Sequence, residues 1–164
     1  MDLQFKKDNM VEQVNKFIIL LWLLILGIGF SSCKKTSDSD QTTIIQTQIT
    51  NNMQVGTWRI TLYSASGEDK TVQFDGYSFQ FAKEGDITAV SANDNVLGSW
   101  YTMDTNTGTN VLDDLKFALQ FGTVNKFEDL NGAWYIGSQS ATKIELNKAA
   151  GGGEGSDLVT FEQN

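Results

Sequence analysis

From Val55 onward, apolar and polar residues alternate along the chain with a period of two, which is the spacing of a half-buried β-strand. In DDLKFALQF (113–121), for example, every second residue from Leu115 to Phe121 is a leucine or a phenylalanine. Glycine, asparagine and aspartate between such runs indicate tight turns. The pattern predicts eight strands, over 56–63, 71–82, 86–91, 96–104, 114–121, 133–140, 142–148 and 157–162.

Eight short strands joined by short connections predict an all-β fold, an eight-stranded antiparallel up-and-down barrel. Closure would remove the exposed strand edges that invite aggregation. A β-propeller would need at least four blades of roughly 40 residues each, more than residues 55–164 supply. Asp75-Gly76 interrupts the second strand and indicates a bulge or bend. The connection over 123–131 is long enough for one helical turn, with Asn125 as its candidate N-cap.

The N-terminal region has a different pattern. Residues 17–30 read FIILLWLLILGIGF, an uncharged apolar run that is shorter than the ~20 residues of a comfortable membrane span. Lysines precede the run and the small residues Ser31 and Ser32 follow it. This order of charged start, apolar middle and small-residue end is typical of a secretory signal.

Cys33 is the only cysteine, and it follows the apolar run directly. The segment GFSSC resembles the lipobox of bacterial lipoproteins, in particular the looser lipoboxes of the Bacteroidetes. The resemblance implies that residues 1–32 are a lipoprotein signal peptide, and that Cys33 is lipidated and becomes the new N-terminus. We therefore expect a lipid-anchored protein of the outer membrane, whose membrane contact is made through Cys33.

Residues 33–54 comprise this cysteine and a segment rich in serine, threonine, glutamine and aspartate, which predicts a flexible linker. A short helix over Ile44, Ile45 and Ile49 is an alternative for part of it. The acidic stretch SDSD (37–40) is similar to signals that send some Bacteroidetes lipoproteins to the cell surface. Display on the periplasmic face and display on the cell surface both remain open.

Composition excludes several classes of function. The net charge is −8, and all of it arises from Cys33 onward, so nucleic acid is not an expected partner. The chain contains no histidine, which excludes Ser-His-Asp and Cys-His catalysis and histidine-bound zinc. We therefore expect a protein without enzymatic activity.

A glycine-x-tryptophan triplet occurs three times in the predicted strands, ending at Trp58, Trp100 and Trp134. Its first copy resembles the Gly-x-Trp of lipocalins. More specifically, GTWRITLYS, FDGYSFQF, DDLKFALQF, FEDLNGAWYIGSQSATKIEL and SDLVTFEQN resemble a family of Bacteroidetes lipocalin-like lipoproteins. The resemblance implies that residues 55–164 form a lipocalin-like β-barrel domain.

Many aromatic residues fall on the predicted inward faces, and two interpretations of them stay open. They fill the barrel, or they line a pocket for one small apolar or amphipathic ligand. The pocket candidates are Trp58, Phe79, Phe117 and Trp134. In the first case the protein is a packed scaffold whose loops contact another envelope protein or an external partner, and in the second it is a carrier.

The loop DTNTGTNVLDD (104–114) is the best candidate for a metal site. Asp104, Asn106 and Asp113 are hard oxygen donors that a bent loop could arrange around calcium. No other cofactor is expected. A solvated hairpin loop explains the same residues.

Overall fold

The structure is a computed structural model, and it describes residues 38–105, 111–122, 125–149 and 156–164. The predicted signal peptide and Cys33 lie outside the described residues. Among the described residues, no helix is long and apolar enough to span a bilayer.

Antiparallel strands dominate the described part of the chain. They are β1 (Trp58–Ala65), β2 (Glu68–Asp69), β3 (Ser78–Phe81), β4 (Asp86–Val90), β5 (Asn95–Asp104), β6 (Leu115–Gln120), β7 (Gly132–Gln139), β8 (Lys143–Asn147) and β9 (Leu158–Gln163). Their order in the sheet is the order in the chain from β3 to β9, and β1 closes the sheet by pairing with both β3 and β9. Since β2 pairs only with the last two residues of β1, the wall has eight strands. The predicted eight-stranded antiparallel barrel is confirmed.

The helical elements are short, apart from the first. They are α1 (Asp38–Met53), α2 (Val111–Asp114) and two 3-10 helices over Thr71–Phe74 and Asn125–Leu130. The second 3-10 helix confirms the turn predicted over 123–131. The first corrects the predicted strand 71–82, whose initial four residues are helical. Gly76 follows with a φ of +77°, which a glycine adopts without strain, and the chain becomes extended only at Ser78.

Helix α1 corrects the predicted flexible linker, because residues 38–53 are ordered against the barrel. Thr42, Ile45, Ile49 and Met53 recur at spacings of three and four, so they share one face of the helix. Three of them are buried and Ile45 packs against the same core. Gln46 Nε2 also donates to Thr102 O at 3.0 Å. The short helix suggested by the isoleucines is therefore part of a helix of 16 residues.

These helices close the two ends of the barrel. Helix α1 lies across the end at which β1 begins and β5 and β7 finish, where Asn52 Nδ2 donates to Ser140 O. The two 3-10 helices lie at the other end and bury Phe74, Phe127 and Leu130 in the core. A single core cluster therefore runs from α1 through the barrel to both 3-10 helices.

Tyr63 lies at the second of these ends, fully buried, with its ring 5.4 Å from that of Phe74. Burial raises the pKa of Tyr63 to about 12, and the negative charges of Asp129 and Asp157 add to the effect. In the unfolded chain the phenol ionises near pH 10. The neutral phenol thus stabilises the fold fully below pH 10, and this contribution is lost as the pH rises from 10 through 12.

We predict that Tyr63→Phe makes the protein less sensitive to alkali. The difference in free energy of unfolding between the wild type and Tyr63→Phe should shift by about 1 to 2 kcal/mol in favour of the variant between pH 8 and pH 11.5. Urea unfolding at several pH values measures it. Tyr101→Phe is the matched control, because Tyr101 is exposed. An equal shift for both variants would contradict the role assigned to burial.

Candidate functional site

The four residues predicted to line a pocket all lie in the packed interior. Trp58, Phe79, Phe117 and Trp134 each have an exposed fraction of 0%. The rings of Phe79 and Phe161 meet edge to face at a centroid distance of 5.3 Å, and Phe117 stacks on Trp100 at 5.6 Å. The space beside each of these side chains is thus occupied by other side chains of the barrel.

The repeated Gly-x-Trp triplet has a structural role in closing the barrel. The indole N–H of Trp58 donates to Met53 O, in the last residue of α1, at 3.0 Å. That of Trp134 donates to Leu130 O, in the last residue of the second 3-10 helix, at 2.8 Å. Trp100 donates in the same way to Ala82 O, directly after β3. Each tryptophan therefore buries its ring and ties down the backbone of a neighbouring segment, which uses both properties of the side chain.

The predicted calcium loop is described only in part. Asp104 is exposed at the end of β5, Asp113 is half-buried in α2, and Asn106 lies outside the described residues. Thr105 N and Oγ1 both donate to Asp114 O, which brings the two sides of the loop together. Within the described ranges, no three acidic, cysteine or histidine side chains form a group that could hold a metal ion.

The barrel wall is weakest between β1 and β3. One residue pair, Trp58 with Phe79, joins these strands, whereas β1 and β9 share six pairs and β3 and β4 share four. Beyond that pair the first 3-10 helix takes the place of a strand: Tyr63 N donates to Thr71 Oγ1, and Lys70 N donates to Tyr63 O. In the described part of the chain, Arg59–Leu62 therefore have no strand partner on this side.

A groove of about 300 Å³ occupies this seam. Arg59 and Ile60 line it from β1, and Ser78 and Tyr77 line it from the β3 side together with Phe74, Asp75 and Gly76. Asn164 bounds it, since Asn164 Nδ2 lies 3.0 Å from Thr57 Oγ1 and 3.4 Å from Ser78 Oγ. A groove with apolar, cationic, anionic and amide groups is thus present on the wall of the barrel, outside the interior where a pocket was predicted.

Arg59 is the cationic group of this groove, which Asp75 also lines, and it is the single arginine of the sequence. It lies at the end of a row of alternating charges, because Glu162 pairs in register with Lys143 on one side and Arg59 on the other. Arg59 Nη2 is 3.7 Å from Glu162 Oε2, and Arg59 Nη1 donates to Asn164 Oδ1 at 3.3 Å. The guanidinium has five N–H donors and its side chain is 51% exposed, so it can accept a further anionic partner.

Tyr77 is held firmly at the opposite side of the groove. Its hydroxyl donates to Asp94 Oδ2 at 2.7 Å, and this bond raises the pKa of Tyr77 above its ordinary value. Lys126 Nζ lies 4.3 Å from the centre of the Tyr77 ring and donates to Gln73 O. The two 3-10 helices and the wall of the groove are thereby connected, so that the groove is built on ordered elements.

Sequence reasoning did not identify the groove. Two signals pointed towards it, namely the Asp75-Gly76 interruption of the second strand and the single arginine in an acidic domain. Neither signal predicts which residues line the groove. Asn164 reaches Thr57 and Ser78 only because β9 pairs with β1 in the closed barrel.

Comparisons with known proteins add a likeness of shape. No protein-family model matches the chain, and no curated protein matches it. Among solved structures, a DUF4847 family protein from Bacteroides vulgatus ATCC 8482 is similar, with a TM-score of 0.45 and 16% sequence identity. The similarity covers 68% of this chain and 94% of that one.

Proposed function

We propose that this protein is a lipid-anchored, non-enzymatic protein of the bacterial outer membrane whose packed barrel is an interaction module. The observation that carries the proposal is the complete burial of Trp58, Phe79, Phe117 and Trp134 against other side chains. A barrel filled in this way has no room at these positions for the ligand of a carrier. The outer surface and the loops are then the parts that meet a partner, which is another envelope protein or an external molecule.

The anchor is supported by the layout of the first 33 residues and by the lipobox resemblance at Cys33. The position of α1 adds a consequence. Because the helix begins at Asp38, only four residues separate it from Cys33, and five extended residues span at most about 18 Å. The barrel is therefore held close to the membrane surface. Asp40 falls in the first turn of α1, where an acidic residue stabilises a helix N-terminus.

The absence of histidine from the whole sequence and the use of its single cysteine for the anchor support a non-enzymatic role. The resemblance to lipocalin-like lipoproteins agrees with a barrel that acts by binding. A carrier of a small apolar or amphipathic ligand is the competing function, and the same experiment decides between them.

Native mass spectrometry of the full-length protein, purified from membranes in detergent, tests the proposal. We expect one species with the mass of residues 33–164 plus acyl chains, and no further small molecule retained without a covalent bond. Cys33→Ala should lose the acyl mass. A co-purified apolar molecule in stoichiometric amount would favour the carrier, and acylation that persists in Cys33→Ala would overturn the anchor.

A further inference from the structure

We propose that the outer face of α1 docks on the lipid headgroups of the bilayer to which the chain is anchored. The outer face is defined here as Gln41, Ile44, Gln48 and Asn51, all of which are exposed, together with Val55 just beyond the helix. In this orientation the barrel stands on its α1 end, and the end with the two 3-10 helices is directed away from the membrane. The inference rests on the proposed function as a lipid-anchored interaction module, and it assigns the surface that meets the lipid.

The packing of α1 places this face at the end of the molecule. Ile49 and Met53 are buried on the side of the helix that closes the barrel. Ile44 precedes Ile49 by five residues, which is roughly 140° around the helix at 3.6 residues per turn. Its side chain therefore points away from the barrel, and it is 59% exposed. Val55 is 60% exposed and is held in place, because Gln163 Nε2 donates to Val55 O at 2.8 Å.

The outer face differs in charge from the rest of this acidic domain. Residues 41–58 contain no charged side chain, and no uncharged run after Cys33 is longer. Such a surface approaches a bilayer without the repulsion that carboxylates meet at anionic headgroups. The side-chain amides of Gln48 and Asn51 each donate and accept hydrogen bonds, so they can pair with the phosphate and ester oxygens of lipids.

The anchor selects the bilayer as the occupant of this face. The five residue steps from Cys33 to Asp38, where α1 begins, span at most about 18 Å. Ile44 follows six residues later, about 9 Å along the helix. The bilayer is thus always beside α1, at a far higher effective concentration than any freely diffusing protein. Because the anchor makes the contact intramolecular, a face with two exposed apolar side chains can dock although it is too polar to bind a membrane alone.

Val72 shows why exposure alone does not identify the docking face. It is 73% exposed on the first 3-10 helix, at the opposite end of the barrel. Asp69 and Asp75, both exposed, lie within three residues of it along the chain. The eight residues of β1 separate the two ends by about 25 Å. Val72 is therefore a matched control for Ile44, since both are exposed β-branched residues and only Ile44 lies on the uncharged face.

The test labels the acylated protein at either end. Cys33 is the only cysteine and is acylated in the proposed function, so Ile44→Cys and Val72→Cys each supply one free thiol for an NBD fluorophore. The labelled proteins are reconstituted into phosphatidylcholine vesicles, with and without a lipid that carries a nitroxide on its headgroup. We expect the nitroxide to quench the label at residue 44 at least about threefold more strongly than the label at residue 72, because apolar residues of an interfacial helix lie within the headgroup region.

A charge placed on the outer face tests the same contact without a label at residue 44. With the fluorophore on Val55→Cys, Ile44→Asp should lower the ratio of docked to undocked protein about fivefold or more, because the burial of the isoleucine is lost. Val72→Asp makes the equivalent change at the opposite end and should leave the quenching unchanged.

Flotation with the vesicles separates failure of this inference from failure of the anchor. Protein that does not float would overturn the anchor, and the docking with it. Protein that floats but is quenched equally at residues 44 and 72, or more strongly at residue 72, would overturn the docking alone. Self-quenching of the label at residue 44, but not at residue 72, in vesicles without nitroxide would show that a second copy of the chain occupies this face, and would also overturn it.

Discussion

Gly98→Ala is expected to lower the free energy of unfolding by about 3 kcal/mol or more, at the top of the usual range for an overpacked core. A Cβ at this position would lie 2.5 Å from Gln120 O and 2.7 Å from Phe121 Cδ1. The first contact is with backbone, which a rotamer change cannot relieve. β5 is paired on both sides in a closed sheet, so separating it from β6 also disturbs β4.

Urea unfolding followed by tryptophan fluorescence measures this effect. Ser99→Ala is the matched control, since Ser99 is the next residue along β5 and its side chain is exposed. We expect that control to remain within about 0.5 kcal/mol of the wild type. A Gly98→Ala protein as stable as the control would show that β5 and β6 do not approach as closely as described.

Most strands were predictable because one face is buried more completely than the other, although β9 buries Val159, Thr160 and Phe161 in succession. In β6, Leu115, Phe117 and Leu119 are all buried on the inward side, so the alternation in the sequence is the alternation in the structure. Closure of the barrel was predictable from the number and length of the strands. The same signal fails for the first 3-10 helix, in which Val72 is 73% exposed and Phe74 is 2% exposed. An exposed Val72 followed two positions later by a buried Phe74 is also what a strand would give, so the alternation does not distinguish this short helix from a strand.

Helix α1 was missed for a different reason. Its residues are mostly polar, and the stripe that packs on the barrel includes Thr42, whose side chain is buried. Composition alone suggests a segment that cannot bury enough apolar surface to fold. A helix of this kind is stabilised by the surface on which it packs, and that surface exists only once the barrel has closed. The groove could not be predicted either. Its walls combine residues between Arg59 and Ser78 with Asn164, and these parts of the sequence meet only when the barrel has closed.

Trp58→Ala is expected to cost about 3 to 5 kcal/mol and to release α1 from the barrel. The ring of Trp58 is fully buried, 6.5 Å from that of Phe81, and its N–H fixes the last residue of α1. Removing the side chain leaves a cavity at the end of the barrel that α1 covers, and it leaves Met53 O without the hydrogen bond from the indole. Trp58→Phe separates the two effects, because it keeps a ring and loses the hydrogen bond, and we expect it to cost about 1 to 2 kcal/mol.

Hydrogen exchange shows whether α1 is released. Amides of α1 should exchange much faster in Trp58→Ala, while those of β6 to β9 keep their relative protection. Tyr101→Ala removes an exposed aromatic side chain from β5 and should leave α1 unchanged. Equal acceleration of exchange in α1 and in the distant strands would mean that α1 unfolds only with the whole barrel, and that Trp58 has no separate role in holding it.

The cavity left by Trp58→Ala also tests the proposal that this barrel is a packed module and not a carrier. An apolar cavity stays dry and binds small apolar molecules such as benzene or xenon. We expect the Trp58→Ala protein to be stabilised by benzene, measured as a rise in the urea midpoint, and the wild type to be unaffected. Such a result would attribute the lack of an internal ligand site to the Gly-x-Trp tryptophans that fill the ends of the barrel. A wild-type protein equally stabilised by benzene would instead show that the interior holds space which its aromatic residues do not occupy.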